Sequence, residues 1–297
     1  MNVATKLGVY GAVVALAVAG GALAGAAIGP EPDDDPPAHA DAHAEPSHDE
    51  DVVAALPGLA ISDRGYTLVL DTSVVPADGG GFRFHIAGPD GDVVHRFSVE
   101  HDKELHLILA SRDLERFVHL HPARDRDGTW SVTLPALPPG AYRAFADFRP
   151  EGGPALTLGA DITVPGDHQA PPRREASHRS SVDGFDVELL GTPRAGEAVS
   201  LVVRTSVGGE PARLEPYLGA NGHLVALREG DLAYLHVHPE HADVPGEVPF
   251  TVTFPSAGRH RLFFDFQVDG VVHTADFTVD VGDGHAHRDA PEQDGHR

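Results

Sequence analysis

The sequence predicts an all-β protein, built as two tandem immunoglobulin-like β-sandwiches after one N-terminal transmembrane helix or signal segment. Three observations lead there. Short runs rich in Val, Thr and Phe are separated by turn residues, and the 297-residue chain holds 33 Gly and 25 Pro, a composition of many strands and many turns. No helical periodicity of useful length follows residue 30. The two halves of the chain repeat the same motifs at the same spacing, which is the mark of one fold used twice. The length and the 41% of hydrophobic residues suit about two packed cores.

Residues 1–28 come first. Leu7 to Ile28 is an uncharged run of 22 residues, preceded by Lys6 and followed by Glu31, Asp33, Asp34 and Asp35. That length spans a bilayer, and the charge asymmetry places the N-terminus inside and the remainder outside. The run is long for a signal-peptide core, so the expectation is a signal anchor in the cell membrane, single-pass, with the C-terminal part extracellular. The alternative is secretion after cleavage near Ala22-Leu23-Ala24 or Ala24-Gly25-Ala26.

Residues 29–55 are Pro, Ala, Asp, Glu and His, including His39, His43 and His48. Such a stretch buries too little apolar surface to fold and reads as a disordered stalk. The repeats are expected over 56–165 and 181–282, joined by a linker at 166–180 that contains Pro171-Pro172-Arg173-Arg174. The tail, 283–297, carries His285, His287 and His296.

The repeat is visible residue by residue. Leu105-His106-Leu107 matches Gly222-His223-Leu224, and Val118-His119-Leu120-His121-Pro122 matches Leu235-His236-Val237-His238-Pro239. His106 to His119 and His223 to His236 are both thirteen residues apart. Downstream, Phe145-Ala146-Asp147-Phe148 matches Phe263-Phe264-Asp265-Phe266. In the first repeat, strands are expected near 66–71, 81–87, 92–99, 104–110, 116–121, 129–134, 141–148 and 158–164, broken by turns such as Pro89-Asp90-Gly91-Asp92 and Pro138-Pro139-Gly140. That number of short strands in one repeat is the immunoglobulin-like pattern. Trp130, the only Trp, is expected in the core.

Charge and residue inventory narrow the chemistry. A formal net charge of −23 excludes nucleic acid as a partner, since phosphate binding needs a basic patch. There is no Cys, hence no disulfide, no thiolate ligand and no lipid-bearing cysteine, and the only Met is Met1. Twenty His remain, with 45 acidic residues, a ligand set for Zn(II), Cu(II), Ni(II) or Fe rather than for Cu(I).

Three His-x-His triplets occur, at 119/121, 236/238 and 285/287, and two of them sit at equivalent repeat positions. Residues two apart on a strand share a face, so His119 and His121 project together. An adjacent strand can bring His106 beside them, and Asp147 on a third strand can ligate or accept a hydrogen bond from a ligand's second nitrogen. The candidate metal site of the first repeat is therefore His101, His106, His119, His121 and Asp147; that of the second is His223, His236, His238 and Asp265. Leu218 stands where His101 would be, which makes the second set the less complete one. The plainer alternative is a set of buried histidines bonded to backbone carbonyls. His85, His95, His168, His178, His241, His260 and His273 have no counterpart and read as surface or incidental residues.

His101-Asp102-Lys103-x-Leu105-His106-Leu107, Phe117-x-His119-x-His121-Pro122 and Tyr142-Arg143-x-Phe145-x-Asp147-Phe148, with their second-half versions, resemble a group of exported or membrane-anchored heavy-metal-binding proteins of high-GC Gram-positive bacteria. The chain is more loosely similar to CopC-like and YtkA-like copper-handling sandwiches. The resemblance implies a β-sandwich outside the membrane, and bears on fold and location more than on function; the likeness to the copper-handling groups rests on fold class and histidine usage.

The function expected is therefore extracytoplasmic binding of a divalent metal ion, copper(II) or zinc, for buffering, delivery or resistance. The partners expected are the metal, the membrane through the N-terminal segment, and a metal transporter or other cell-envelope protein. A cell-surface structural or interaction module with structural histidines is the alternative. A metal-dependent enzyme is the third reading and the least supported, because no nucleophile or phosphate-loop motif is present; a non-enzyme is expected.

Overall fold

The computed structural model describes residues 56–237 and 239–284, all within one compact unit. The described residues form strands and turns and no helix. The calls on residues 1–55, on His238 and on the tail from residue 285 lie outside the described residues, as does the side chain of His236. Among the described residues no helix is long and apolar enough to cross a membrane.

The first repeat contains β1 (Ser62–Asp63), β2 (Tyr66–Leu70), β3 (Gly80–Ala87), β4 (Leu105–Ser111), β5 (Phe117–Leu120), β6 (Ala123–Arg124), β7 (Trp130–Leu134), β8 (Gly140–Phe148) and β9 (Leu156–Val164). They form two antiparallel sheets, β1-β2-β3-β7-β6 and β5-β4-β8-β9. The second repeat contains β10 (Arg179–Val182), β11 (Phe185–Leu190), β12 (Ala198–Val207), β13 (Glu210–Pro211), β14 (His223–Arg228), β15 (Tyr234–Val237), β16 (Glu247–Thr253), β17 (Gly258–Val268) and β18 (Val271–Val281). Here β10-β11-β12-β13, with β16 against β12, faces β15-β14-β17-β18. Each repeat is thus an immunoglobulin-like sandwich.

Alternation along the strands builds two kinds of core. In β4, Leu105, Leu107 and Leu109 point into the first sandwich with Phe82, Phe84 and Trp130. Between them, Ile108 and Ala110 point outward, and they are buried as well. They pack with Leu114, Phe145, Val225, Leu227, Leu232, Tyr234 and Phe263 in a third core, which joins β5-β4-β8-β9 of one repeat to β15-β14-β17-β18 of the other. The pairing is close to two-fold: Phe117 stacks on Phe263 at 4.2 Å between ring centroids, and Tyr234 lies over Phe145 at 5.2 Å. A strap from the N-terminal side closes one edge. Pro57 accepts a backbone hydrogen bond from Tyr234, and Gly58, at φ +76°, lies so tightly on Phe145 and Tyr234 that a Cβ would come within 2.7 Å of the Phe145 ring.

Two expectations need correction. The 92–99 segment is no strand: it makes only the isolated bridges Ala87–Val93 and Phe97–Pro150. β7 pairs with β3 only over Gly80–Phe84, so Val93 and Val94 reach the end of β3 at Ala87 and Ile86 before the chain crosses to the other sheet, and no continuous ladder forms. Phe97 still reaches the core, edge-on to Trp130. His260 is not a surface residue; it is 2% exposed. It occupies the place in β17 that Tyr142 occupies in β8. The Tyr142 hydroxyl donates to the Pro138 carbonyl at 2.8 Å, the corner bond that fixes the entry to this strand in many such sandwiches. In the second repeat the ring nitrogen Nδ1 of His260 reaches the Gly258 carbonyl at 3.1 Å instead.

Candidate metal centre between the repeats

The histidines sit on the outward faces that the two repeats press together. His106 precedes Ile108 by two positions on β4, and His223 precedes Val225 by two on β14, so each shares the face of the inter-repeat core. His119 lies on β5 opposite Ile108, and His121 follows directly after that strand ends. His106 and Asp147 are cross-strand partners, as are His223 and Asp265. His106 and His223 are 3% and 1% exposed.

His106, His119 and His121 each offer a ring nitrogen, and these atoms lie within 4.8 Å of one another. The ring centroids of the three are 4.7 to 5.3 Å apart. Asp147 is not part of this cluster. Its Oδ1 accepts a hydrogen bond from the Thr157 hydroxyl at 3.1 Å, and the Tyr234 hydroxyl of the other repeat stands 3.4 Å from its Oδ2. The carboxylate that does meet the cluster comes from the second repeat. His119 Nδ1 donates to Asp265 Oδ2 at 2.8 Å, with both side chains 4% exposed. Asp265 is held in turn by the Thr274 hydroxyl on its Oδ1.

Hydrogen bonds fix which nitrogens carry lone pairs. His106 Nε2 lies 3.1 Å from the Glu100 carbonyl, which can only accept, so that nitrogen carries the proton and Nδ1 the lone pair. The same reasoning gives His119 a protonated Nδ1 against Asp265 and a lone pair on Nε2. These two lone-pair nitrogens face each other at 3.1 Å. Two neutral imidazoles would repel in that arrangement, so something positive belongs between them, either an added proton or a metal ion. Burial, reinforced by the neighbouring His119 and His106, pushes the His121 imidazole down to about 2, which keeps it neutral. Its Nε2 is buried and has no hydrogen-bond partner among the described residues.

The second repeat echoes part of this. His223 Nε2 donates to the Tyr217 carbonyl at 2.8 Å, as His106 does to Glu100. Glu100 and Tyr217 each open a two-residue turn, His101-Asp102 and Leu218-Gly219, with positive φ at both central residues. His101 lies beside both repeats, with its ring 6.1 Å from that of His106 and 5.3 Å from that of His223. Burial and the nearby Asp265 raise the Tyr217 phenol above its ordinary range. A cleft of about 580 Å³, bordered by His101, His106, Asp147 and Tyr234, opens beside the cluster.

Sequence reasoning grouped His106, His119 and His121 of the first repeat, and the structure brings their ring nitrogens within 4.8 Å of one another. It missed the carbonyls of Glu100 and Tyr217, since a backbone acceptor leaves no side-chain signature. It also missed Tyr234, the partner of Asp147. The equal spacing of Glu100–His106 and Tyr217–His223, six residues each, was the available signal.

The arrangement is that of a duplicated immunoglobulin-like sandwich whose two copies share one histidine-lined interface. The chain belongs to the family described as domain of unknown function (DUF8832), which matches it twice, over residues 60–166 and 180–283. No curated protein matches the sequence. Among solved structures, similar ones include a tetra-tandem repeat from the extending region of a large adhesion protein, at 15% identity and TM-score 0.25, covering 73% of this chain and 48% of that one. InvD of Yersinia pseudotuberculosis is 13% identical with TM-score 0.25, over 77% of this chain and 62% of that one. The BSP domain of a biofilm-associated protein is 12% identical with TM-score 0.22, over 75% of this chain and 30% of that one. The chain thus spans less than two thirds of the length of each.

Proposed function

We propose that the protein binds a divalent metal ion, zinc or copper(II), at the interface between its repeats, outside the membrane. His106, His119 and His121 are the ligands in this reading, and Asp265 orients His119. One observation carries it: three imidazoles converge on one point, with the facing ring nitrogens of His106 and His119 3.1 Å apart. Zn–N bonds of about 2.0–2.1 Å in a tetrahedron put neighbouring nitrogens about 3.3 Å apart, close to that separation. A shared proton would satisfy two of the three nitrogens; a metal ion satisfies all three. The other ring nitrogens of His106 and His119 are tied to a carbonyl and a carboxylate, the usual outer partners of metal-bound histidine. The uncharged run Leu7–Ile28 and the acidic segment after it support a membrane-attached or secreted location, where buffering, delivery or resistance are the roles available to such a site.

A second reading rests on the same contacts. The His106–His119–Asp265 chain of hydrogen bonds ties the repeats together without any metal if one proton is shared, and the protein would then be a cell-surface structural or interaction module. Zinc(II) titration of the full chain separates the two. Metal binding predicts a thermal midpoint that rises with zinc, by about 2.7 kcal/mol of stability at a hundredfold excess over Kd, and a smaller rise in His119→Ala plus His121→Ala. A zinc response unchanged in the double variant, or absent from the parent, leaves the structural module.

A further inference from the structure

We propose a second metal position at the same interface, held by His223 of the second repeat and completed by His101 of the first. It rests on reading the first cluster as a metal site and takes the same class of ion, a divalent cation with affinity for imidazole. His223 repeats the setting of His106. It stands opposite an aspartate on the neighbouring strand, gives its Nε2 proton to the carbonyl that opens the adjoining turn, and so carries its lone pair on Nδ1, buried in the interface.

His101 supplies what the second repeat lacks. Its counterpart there is Leu218, which has no ligand atom. The His101 ring is nearer to His223, at 5.3 Å, than to His106, at 6.1 Å. The first of these equals the widest ring separation inside the His106–His119–His121 cluster, where the three values run from 4.7 to 5.3 Å. The backbone that carries His101 is unusual for a histidine. His101 has φ +50° and Asp102 φ +59°, the two left-handed positions of a tight hairpin turn that Gly and Asn fill most easily. The two turns meet at their tips: a Cβ on Gly219 would lie 3.5 Å from the Asp102 carboxylate, which sets the first repeat's turn over the second repeat's histidine. The exchange is reciprocal: Asp265 crosses to serve the first cluster, and His101 crosses to serve the second.

The test is zinc(II) content per full-length chain, measured by elemental analysis after equilibration in chelator-buffered zinc. Histidines elsewhere in the chain contribute equally to every variant, so differences are read. His101→Gly keeps the left-handed turn without strain and is expected to lose one zinc relative to the parent, with His223→Gln losing that same ion. His119→Ala plus His121→Ala is expected to lose a different one, and all three changes together to lose two. Parent zinc content in His101→Gly overturns the second position, and the first stands if the double variant still loses one ion. No loss in the double variant overturns the reading of the first cluster.

Discussion

His119 of the first repeat donates its Nδ1 proton to Asp265 of the second, 2.8 Å away and 146 residues further along the chain. The cross-strand partner of His106 within its own repeat, Asp147, does not take this role. Duplication therefore did more than copy a sandwich. It produced two outward faces that cover each other, and across them His119 finds its carboxylate and Asp147 meets the Tyr234 hydroxyl.

Removing that carboxylate should act on the metal rather than on the fold. In Asp265→Asn the amide oxygen can still accept from His119, but the charge that raises imidazole basicity is gone. Loss of such an outer partner typically weakens metal affinity about 10- to 100-fold. Zinc affinity measured by competition with a chelator should fall by that amount with the far-ultraviolet spectrum retained. An unchanged affinity would remove Asp265 from the site.

The apolar part of the interface should carry stability. Phe263 is 3% exposed and stacks on Phe117 with an interplanar angle of 6°. Phe263→Ala deletes the ring from both repeats' shared core, and burial losses of this kind cost about 3–5 kcal/mol. The urea midpoint should drop accordingly. A cost under about 1 kcal/mol would mean that the two sandwiches do not depend on this face.

The fold was largely legible in the sequence because strand alternation and turn residues are local signals. The motif match between halves gave the duplication, and the His-x-His spacing put His119 and His121 on one face. What stayed hidden is which face. The strands Leu105-His106-Leu107-Ile108-Leu109-Ala110 and His223-Leu224-Val225-Ala226-Leu227 are apolar without alternation, the pattern of a strand covered on both sides. Such a run cannot name its cover, and only the packing shows that the cover is the other repeat. His260 escaped for a related reason. A histidine standing at the position equivalent to Tyr142 does not announce itself as a buried corner residue, because imidazole is as common on surfaces.

The Tyr142 corner should be measurable alone. Tyr142→Phe removes only the hydroxyl, and with it the bond to the Pro138 carbonyl, from a ring that is 1% exposed. A neutral hydrogen bond of this kind contributes about 1 kcal/mol, and the carbonyl it leaves lies at a turn. The substitution should lower the stability of the protein by about that amount in urea, with zinc content unaltered. A neutral result would show that packing alone fixes the entry to β8.

His260 predicts an acid-sensitive second repeat. Burial holds its imidazole below the ordinary value of 6.5, against the smaller opposing pull of its bond to the Gly258 carbonyl. The unfolded chain protonates this histidine as pH falls through 6.5 while the folded chain resists, so the unfolded state binds more protons there. Stability from this residue is then complete above pH 6.5 and declines as the pH drops towards the lowered folded value. His260→Gln removes the titrating group and keeps a donor for the carbonyl. In metal-free protein, urea midpoints followed from neutral to acidic pH should fall less steeply for His260→Gln than for the parent. Parallel slopes would mean that His260 is as free to take a proton in the folded sandwich as in the open chain, and its burial would then be of no consequence for acid stability.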